Sequence, residues 1–268
     1  MALSEAEQEA LRRLHRILIA EGWDFTLIGA AAQMIIATPG ITPRFTADLD
    51  GVVTTPTWDD YSRLAVTLQN QGFTRYGLHR FILGEARVDL IPFATALIVD
   101  GDRLAWPDGG NIRVLGFAEA IATATKQRVA ADLEVNVVSI PGLVLLKLNS
   151  YLDIPQARQR DIADIANQCE NYHSDDDARF GVQTDDGKAI SFEAAGSYLL
   201  GRDVGTIAGS AGPRLADELT ARMKSGHLPL DVAFERGIRA TDEHIDALEA
   251  LFAAFRAGLT KAFPTSDD

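Results

Sequence analysis

Three aspartates form the pattern in this chain most capable of chemistry. In Arg44-Phe45-Thr46-Ala47-Asp48-Leu49-Asp50 two carboxylates lie two residues apart. On a strand over 47–53, alternate side chains share a face, so Asp48 and Asp50 project together. Carboxylates held that close repel unless a cation or a shared proton compensates. Oxygen-only ligands suit Mg²⁺, which takes one or two carboxylates and completes its shell with water and substrate phosphates. The competing reading is a strand end whose aspartates cap a turn. Asp89 stands alone in the apolar run Arg87-Val88-Asp89-Leu90-Ile91-Pro92-Phe93. Burying it unpaired is costly, so it needs a partner, a cation or solvent. Arg87, two positions away on the same face, is the expected ion-pair partner.

Upstream, Leu27-Ile28-Gly29-Ala30 reads as a strand–turn–helix junction. Free backbone N–H groups there, with the helix dipole, can hold phosphate oxygens; a small-residue turn made for packing is the alternative. Around these residues the elements follow from pattern. Ser4 and Glu7 form a capping box ahead of Leu11, Leu14, Ile17 and Leu18 at helical spacing. Residues 25–28 read as a buried strand, 30–37 as a short helix and 58–71 as a helix. Short strands follow at 73–76, 79–83, 86–92, 96–99 and 112–115, then a helix at 117–124 and a strand at 134–140.

Pro141 opens an apolar helix over 142–152, and a second helix covers 158–172. From residue 190 the periodicity is only helical, with helices expected near 191–200, 213–225, 230–237 and 241–262. The glycine-rich stretch 205–212 lacks the Gly-Lys-Ser/Thr end of a phosphate loop and reads as a helix–helix connection. Asp175–Asp177 reads as a solvated loop. The fold expected is α+β: a mixed β-sheet core with flanking helices over 1–152, then a helical C-terminal region over 153–268.

Composition narrows the function. The 268 residues carry 25 Lys and Arg against 38 Asp and Glu, a formal net charge of −13. That opposes non-specific coating of nucleic acid or anionic membrane, which needs a clustered positive field, and leaves room for a small basic site. The acidity is uneven: residues 1–150 have a net charge of −4 and residues 151–268 a net charge of −9. Cys169, the single cysteine, cannot form an internal disulfide, and five scattered histidines have no metal-ligand spacing. No apolar run approaches the roughly 18 residues needed to span a bilayer. The N-terminus opens with acids and reads as an amphipathic helix instead of a signal peptide. A cytoplasmic protein with no membrane partner is expected.

Taken in order, the Gly29 junction, the Asp-x-Asp strand and the later single aspartate resemble the nucleotidyltransferase fold superfamily. Within it, Arg44-Phe45-Thr46-Ala47-Asp48-Leu49-Asp50 is similar to the R-x-T-x-D-h-D string of the AbiEii-like toxins and related minimal nucleotidyltransferases. Leu145-Leu146-Lys147-Leu148 and Arg160-Asp161-Ile162-Ala163-Asp164 resemble that family's later motifs, a helical lysine and an R/K-D-x-x-D helix. The likeness covers residues 11–172. One departure is Ala30, where the family has a second glycine or a serine: no hydroxyl is available, and alanine permits fewer backbone conformations than glycine.

The resemblance implies a nucleotidyltransferase-like mixed sheet and transfer of a nucleoside monophosphate from a nucleoside triphosphate (NTP), with pyrophosphate leaving. Asp48, Asp50 and Asp89 would be catalytic and would hold one or two Mg²⁺ ions, Asp89 alternatively accepting the attacking hydroxyl's proton. Gly29, Ala30, Arg44, Thr46, Lys147 and Asp161 would bind the nucleotide. For Lys147 the alternative is a stem along an apolar helix with its amine in water; for Arg44 it is a surface arginine, and for Asp161 a surface ion pair. Asp164 reads as structural. Arg44, Lys147, Arg87 and Arg160 are expected to line a positive pocket beside the carboxylates. The implied acceptor is tRNA, with a cognate antitoxin as partner. A small-molecule (antibiotic-type) or protein acceptor, or a catalytically weak nucleotide-binding module, are the alternatives.

Overall fold

The computed structural model describes residues 3–36, 40–41, 48–174, 177–184, 186–226, 228–230 and 241–261. Their backbone contacts separate two compact units. The first comprises the described residues of 1–37, 42–114 and 121–143, and the second those of 38–41, 115–120 and 144–268.

The first unit is built on a seven-stranded mixed sheet. Helix α1 (Glu5–Glu21) starts at Ser4, whose hydroxyl accepts from the Glu7 N–H while the Glu7 carboxylate accepts from the Ser4 N–H. Leu11, Leu14 and Leu18 bury one stripe of it. Strand β1 (Phe25–Ile28) runs directly into α2 (Gly29–Ile35). Then come β2 (Asp48–Thr54), α3 (Trp58–Asn70), β3 (Thr74–Tyr76), β4 (Arg80–Leu83) and β5 (Ala86–Phe93). Three short strands, β6 (Ile98–Val99), β7 (Arg103–Ala105) and β8 (Asn111–Arg113), form a separate small sheet. After α4 (Phe117–Ala122), β9 (Thr125–Ala130) and β10 (Leu133–Val137) return to the main sheet.

The main sheet's order is β3-β4-β5-β2-β1-β10-β9. Pairs β2/β5 and β1/β10 are parallel, and the other pairs antiparallel. Leu49, Val53, Phe81, Val88 and Leu90 are buried on one face. The period of two sends Asp48, Asp50, Arg87, Asp89 and Arg80 to the other. Tyr61 ties α3 to the sheet: its one hydroxyl hydrogen is shared between the Leu90 and Leu78 carbonyls, at 2.9 and 3.2 Å, and burial raises its phenol pKa.

The second unit is helical. It holds most of α5 (Ile140–Asp153), then α6 (Gln159–Asn171), α7 (Phe192–Ala208), α8 (Gly212–Lys224) and α9 (Asp242–Lys261). Helices α7 and α9 approach closely because small residues line their contact. A Cβ on Gly201 would lie 2.0 Å from the Phe255 carbonyl, and one on Gly258 would lie 2.2 Å from that of Tyr198. The Ser197 hydroxyl completes the seam by donating to the Leu251 carbonyl at 2.6 Å.

This seam explains where the expected elements shift. Helix α7 continues eight residues past its expected end at 200, carrying Gly201 and Gly205 inside it, because packing outweighs their poor helix propensity. The connection expected over 205–212 shrinks to one 3-10 turn, Gly209–Ala211. Strands β7 and β9 are additional to the expected set; β9 (Thr-Lys-Gln-Arg-Val-Ala) is a sheet edge with no apolar alternation to announce it. Residues 231–237 of the expected 230–237 helix, and Asp175 and Asp176 of the acidic loop, lie outside the described residues. No described helix is long and apolar enough to cross a membrane.

Candidate active site

Register brings the three aspartates to neighbouring positions on one face of the sheet. In the parallel β2/β5 ladder Asp50 is paired with Asp89 and Asp48 with Arg87. Parallel partners point to the same side, so Asp89 projects beside Asp50 and Arg87 beside Asp48. On the other side of β2, Asp50 is paired with Ile28, the last residue of β1. Gly29 follows at φ +69°, and a Cβ there would lie 2.1 Å from Asp50 Oδ2. The glycine thus serves two needs at once: a left-handed turn from strand to helix, and space for a carboxylate. Ala30 lies within the first turn of α2. Arg44 and Thr46 lie outside the described residues.

The partner of Asp89 is Arg80, and the pairing expected with Arg87 does not form. Arg80 Nε donates to Asp89 Oδ1 at 2.7 Å and Nη2 to Oδ2 at 2.6 Å. This is the forked, charge-assisted geometry that guanidinium and carboxylate favour. The reason is distance: residues i and i+2 of a strand are separated by about 6.6 Å of rise, whereas cross-strand partners are about 5 Å apart. Arg80 Nη2 also lies 3.9 Å from Asp48 Oδ2, and Arg87 Nη1 lies 3.8 Å from Asp48 Oδ1. The hydrogen bond to Asp89, with the fields of Asp89, Asp48 and Asp50, raises the Arg80 pKa above its ordinary value. The cluster is partly wet: the Asp89 side chain is 14% exposed, that of Asp48 35% and that of Arg80 34%.

Arg80 lies outside the motif pattern, although a local signal in the sequence marks it. Gly84, at φ +60°, opens the two-residue turn Gly84-Glu85 between Leu83 and Ala86, as tight hairpins favour. Counting back from that turn places Arg80 opposite Asp89.

As a cation site the face fits in part. Its donors are carboxylate oxygens, the kind a hard divalent ion takes, and Gly29 leaves the space that Asp50 occupies. Among the described residues, however, no three His, Cys, Asp or Glu side chains converge as a ligand set for a metal. The guanidinium of Arg80 supplies the positive charge that holds Asp89.

Lys147 and Asp161 belong to the helical unit. Lys147, on α5, is buried, with its ammonium 2.5 Å from Asp164 Oδ2 and 3.6 Å from Asp161 Oδ1, both on α6. Arg158 Nε donates to Asp161 Oδ2 at 2.8 Å. The alternative in which the lysine amine sits in water is therefore not what folds; nor is Asp161 a surface ion pair, its side chain being 4% exposed. Asp164 is the lysine's main partner, in keeping with the structural role expected of it. Of the cations expected around a pocket, Arg87 lies at the carboxylates, and Arg160 is exposed on α6.

No protein-family model matches the chain, and no curated protein gives a significant match. Among solved structures it is similar to two apo forms of a tRNA-processing enzyme. The first is 12% identical at a TM-score of 0.36, over 91% of this chain and 62% of that one. The second is 13% identical at a TM-score of 0.32, over 94% of this chain and 61% of that one. The chain thus spans less than two thirds of either neighbour, and likeness at these scores leaves fold and function to be argued from its own residues.

Proposed function

We propose that the protein is a metal-dependent nucleotidyltransferase that moves a nucleoside monophosphate from an NTP to an acceptor hydroxyl. The observation that carries this reading is the register: Asp50 beside Asp89, Asp48 two residues before it, and Gly29 clearing the space next to Asp50. In the reaction the acceptor oxygen bonds to the α-phosphorus, the bond from that phosphorus to its bridging oxygen breaks, and pyrophosphate departs. Positioning and charge neutralisation are most of the work. Asp48, Asp50 and Asp89 would hold Mg²⁺, which when bound neutralises the phosphate oxygens and orients the nucleophile and leaving group. Asp89 is alternatively the acceptor of the hydroxyl proton.

For Gly29 and Ala30 as phosphate contacts, for Arg44 and Thr46, and for Lys147 and Asp161 as nucleotide ligands, the support is the resemblance to AbiEii-like toxins. So it is for tRNA as acceptor and an antitoxin as partner. A second reading, a nucleotide-binding module without turnover, is favoured by the hold of Arg80 on Asp89.

The test is incubation with each α-labelled NTP, Mg²⁺ and total RNA, with wild type beside Asp50→Asn. Label on RNA that falls at least a hundredfold in the variant supports the enzyme. Equal labelling by both proteins overturns the site assignment. Label appearing only on an added aminoglycoside or lincosamide moves the reaction to a small acceptor.

A further inference from the structure

We propose that Tyr76 is the acceptor-binding residue of this site: its ring stacks an unpaired nucleobase beside the acceptor hydroxyl. This rests on the nucleotidyltransferase reading and adds to it a residue that neither the motif pattern nor the resemblance supplies.

The register of the sheet carries the assignment. Tyr76 of β3 is paired with Arg80 of β4, Arg80 with Asp89 of β5, and Asp89 with Asp50 of β2. Residues directly opposite on neighbouring strands point to one side, so these four side chains form a single row across the face. Asp50 ends the row against Gly29, and Tyr76 ends it at the sheet edge. With strands about 4.8 Å apart, Tyr76 stands roughly 10 Å from Asp89 along the row. Arg75, the preceding residue, turns to the other face beside the buried Phe81. Tyr76 is 71% exposed, more than any other large apolar side chain among the described residues. No aromatic ring among the described residues packs against it. The alternation thus leaves an open π surface on the carboxylate side of the sheet.

Direction selects the ligand. The attacking and leaving oxygens of phosphoryl transfer lie roughly in line. The nucleotidyltransferase reading gives the departing phosphates to Gly29 and Ala30, so the acceptor approaches from the opposite end of the row, over Arg80 and Tyr76. A nucleotide lying there sets its base on the ring and a phosphate beside the guanidinium. The fork from Arg80 to Asp89 uses Nε and Nη2, which leaves the Nη1 hydrogens for a phosphate oxygen. A net charge of −13 limits how many phosphates the surface can hold. Stacking supplies affinity without charge, because every base has a π face. Only a base free of its duplex neighbours can offer that face to a protein ring.

The experiment measures anisotropy of fluorescein-labelled single-stranded oligoribonucleotides, without NTP or added metal, and binding of each NTP with Mg²⁺ by calorimetry. Wild type is compared with Tyr76→Ala and Tyr76→Phe; the ring is exposed, so both should fold, as circular dichroism checks. Tyr76→Ala should weaken oligonucleotide binding on the order of tenfold and leave NTP binding unchanged. Tyr76→Phe, which keeps the ring, should bind like wild type, and duplex RNA of the same sequence should not compete. Equal oligonucleotide binding by Tyr76→Ala overturns the assignment and leaves the nucleotidyltransferase reading standing. So does a loss in Tyr76→Phe as large as in Tyr76→Ala, or wild type that binds NTP and no oligonucleotide. A loss confined to NTP overturns it too, by giving the ring to the donor's base. Absence of both NTP and oligonucleotide binding in wild type overturns the inference and that reading together.

Discussion

Two clusters of aspartates and cations, one in each unit, meet the same electrostatic problem under opposite conditions. On the sheet face, Asp89 and Asp48 share Arg80 in partial contact with water, and Asp50 sits against a glycine that leaves it room. Between α5 and α6, Lys147, Asp164 and Asp161 are 7%, 9% and 4% exposed and held by each other and by Arg158. Charges in water can change partners at small cost. Charges taken out of water must keep theirs, because the desolvation already incurred is recovered only through the pair. Pairs in the sheet cluster can thus rearrange at small cost, whereas the helical cluster holds two helices in register.

The sharpest way to break this contrast is Lys147→Met, which leaves two buried carboxylates without their ammonium. A loss of about 3–5 kcal/mol is expected, read as a fall in Tm on the order of 10 °C. Pairing it with Asp164→Leu should restore much of the loss. If the single variant melts within 2 °C of wild type, roughly the precision the comparison needs, the buried network is not what holds α5 to α6.

Gly29→Ala comes next. It forces an alanine to φ +69° and places a methyl against the Asp50 carboxylate, so about 1–3 kcal/mol should be lost. Stability unchanged in urea unfolding would show that the close approach is relaxed without strain.

The helical interior's intolerance of lone charge has a second readout. Burial pushes the Cys169 thiol up to about 12, whereas an unfolded thiol ionises near 8.5. Over that window the unfolded chain releases a proton that the folded chain keeps. The thiol's contribution is therefore complete below about pH 8.5 and declines as pH rises towards 12, by roughly 1.4 kcal/mol per unit. Cys169→Ala should flatten this part of the stability–pH profile, and the native thiol should resist Ellman's reagent at pH 8. Rapid labelling of folded protein would refute its burial.

The smallest effect belongs to Asp89→Asn. Breaking a partly solvated pair should cost no more than about 1 kcal/mol in urea unfolding. A loss like that of Lys147→Met would put the two clusters in one class.

Much of the sheet unit was legible because its rules are local. The capping box at Ser4, the strand–Gly–helix junction at Gly29 and the two-residue alternation of Asp48 and Asp50 each depend on residues within one turn or one strand. The helical unit is less legible in its sequence. Gly201 reads as the end of a helix until α9 packs on α7, and then it forms the contact together with Gly258. The two-residue spacing along β5 points to Arg87 as the Asp89 partner, whereas the partner lies across the Gly84-Glu85 hairpin.

The sequence by itself determined which side chains share a face, since the period of a strand is a property of the backbone alone. It thereby determined that Asp48 and Asp50 project together and that Asp89 needs a partner. Only the tertiary structure decided that β5 lies parallel to β2 with Asp89 beside Asp50, that Arg80 reaches Asp89 before Arg87 can, and that Lys147 is buried with its carboxylates. Those outcomes turn on distances between strands or helices separated along the chain, and in this molecule such distances are fixed by the packing of apolar faces on which the charged residues ride.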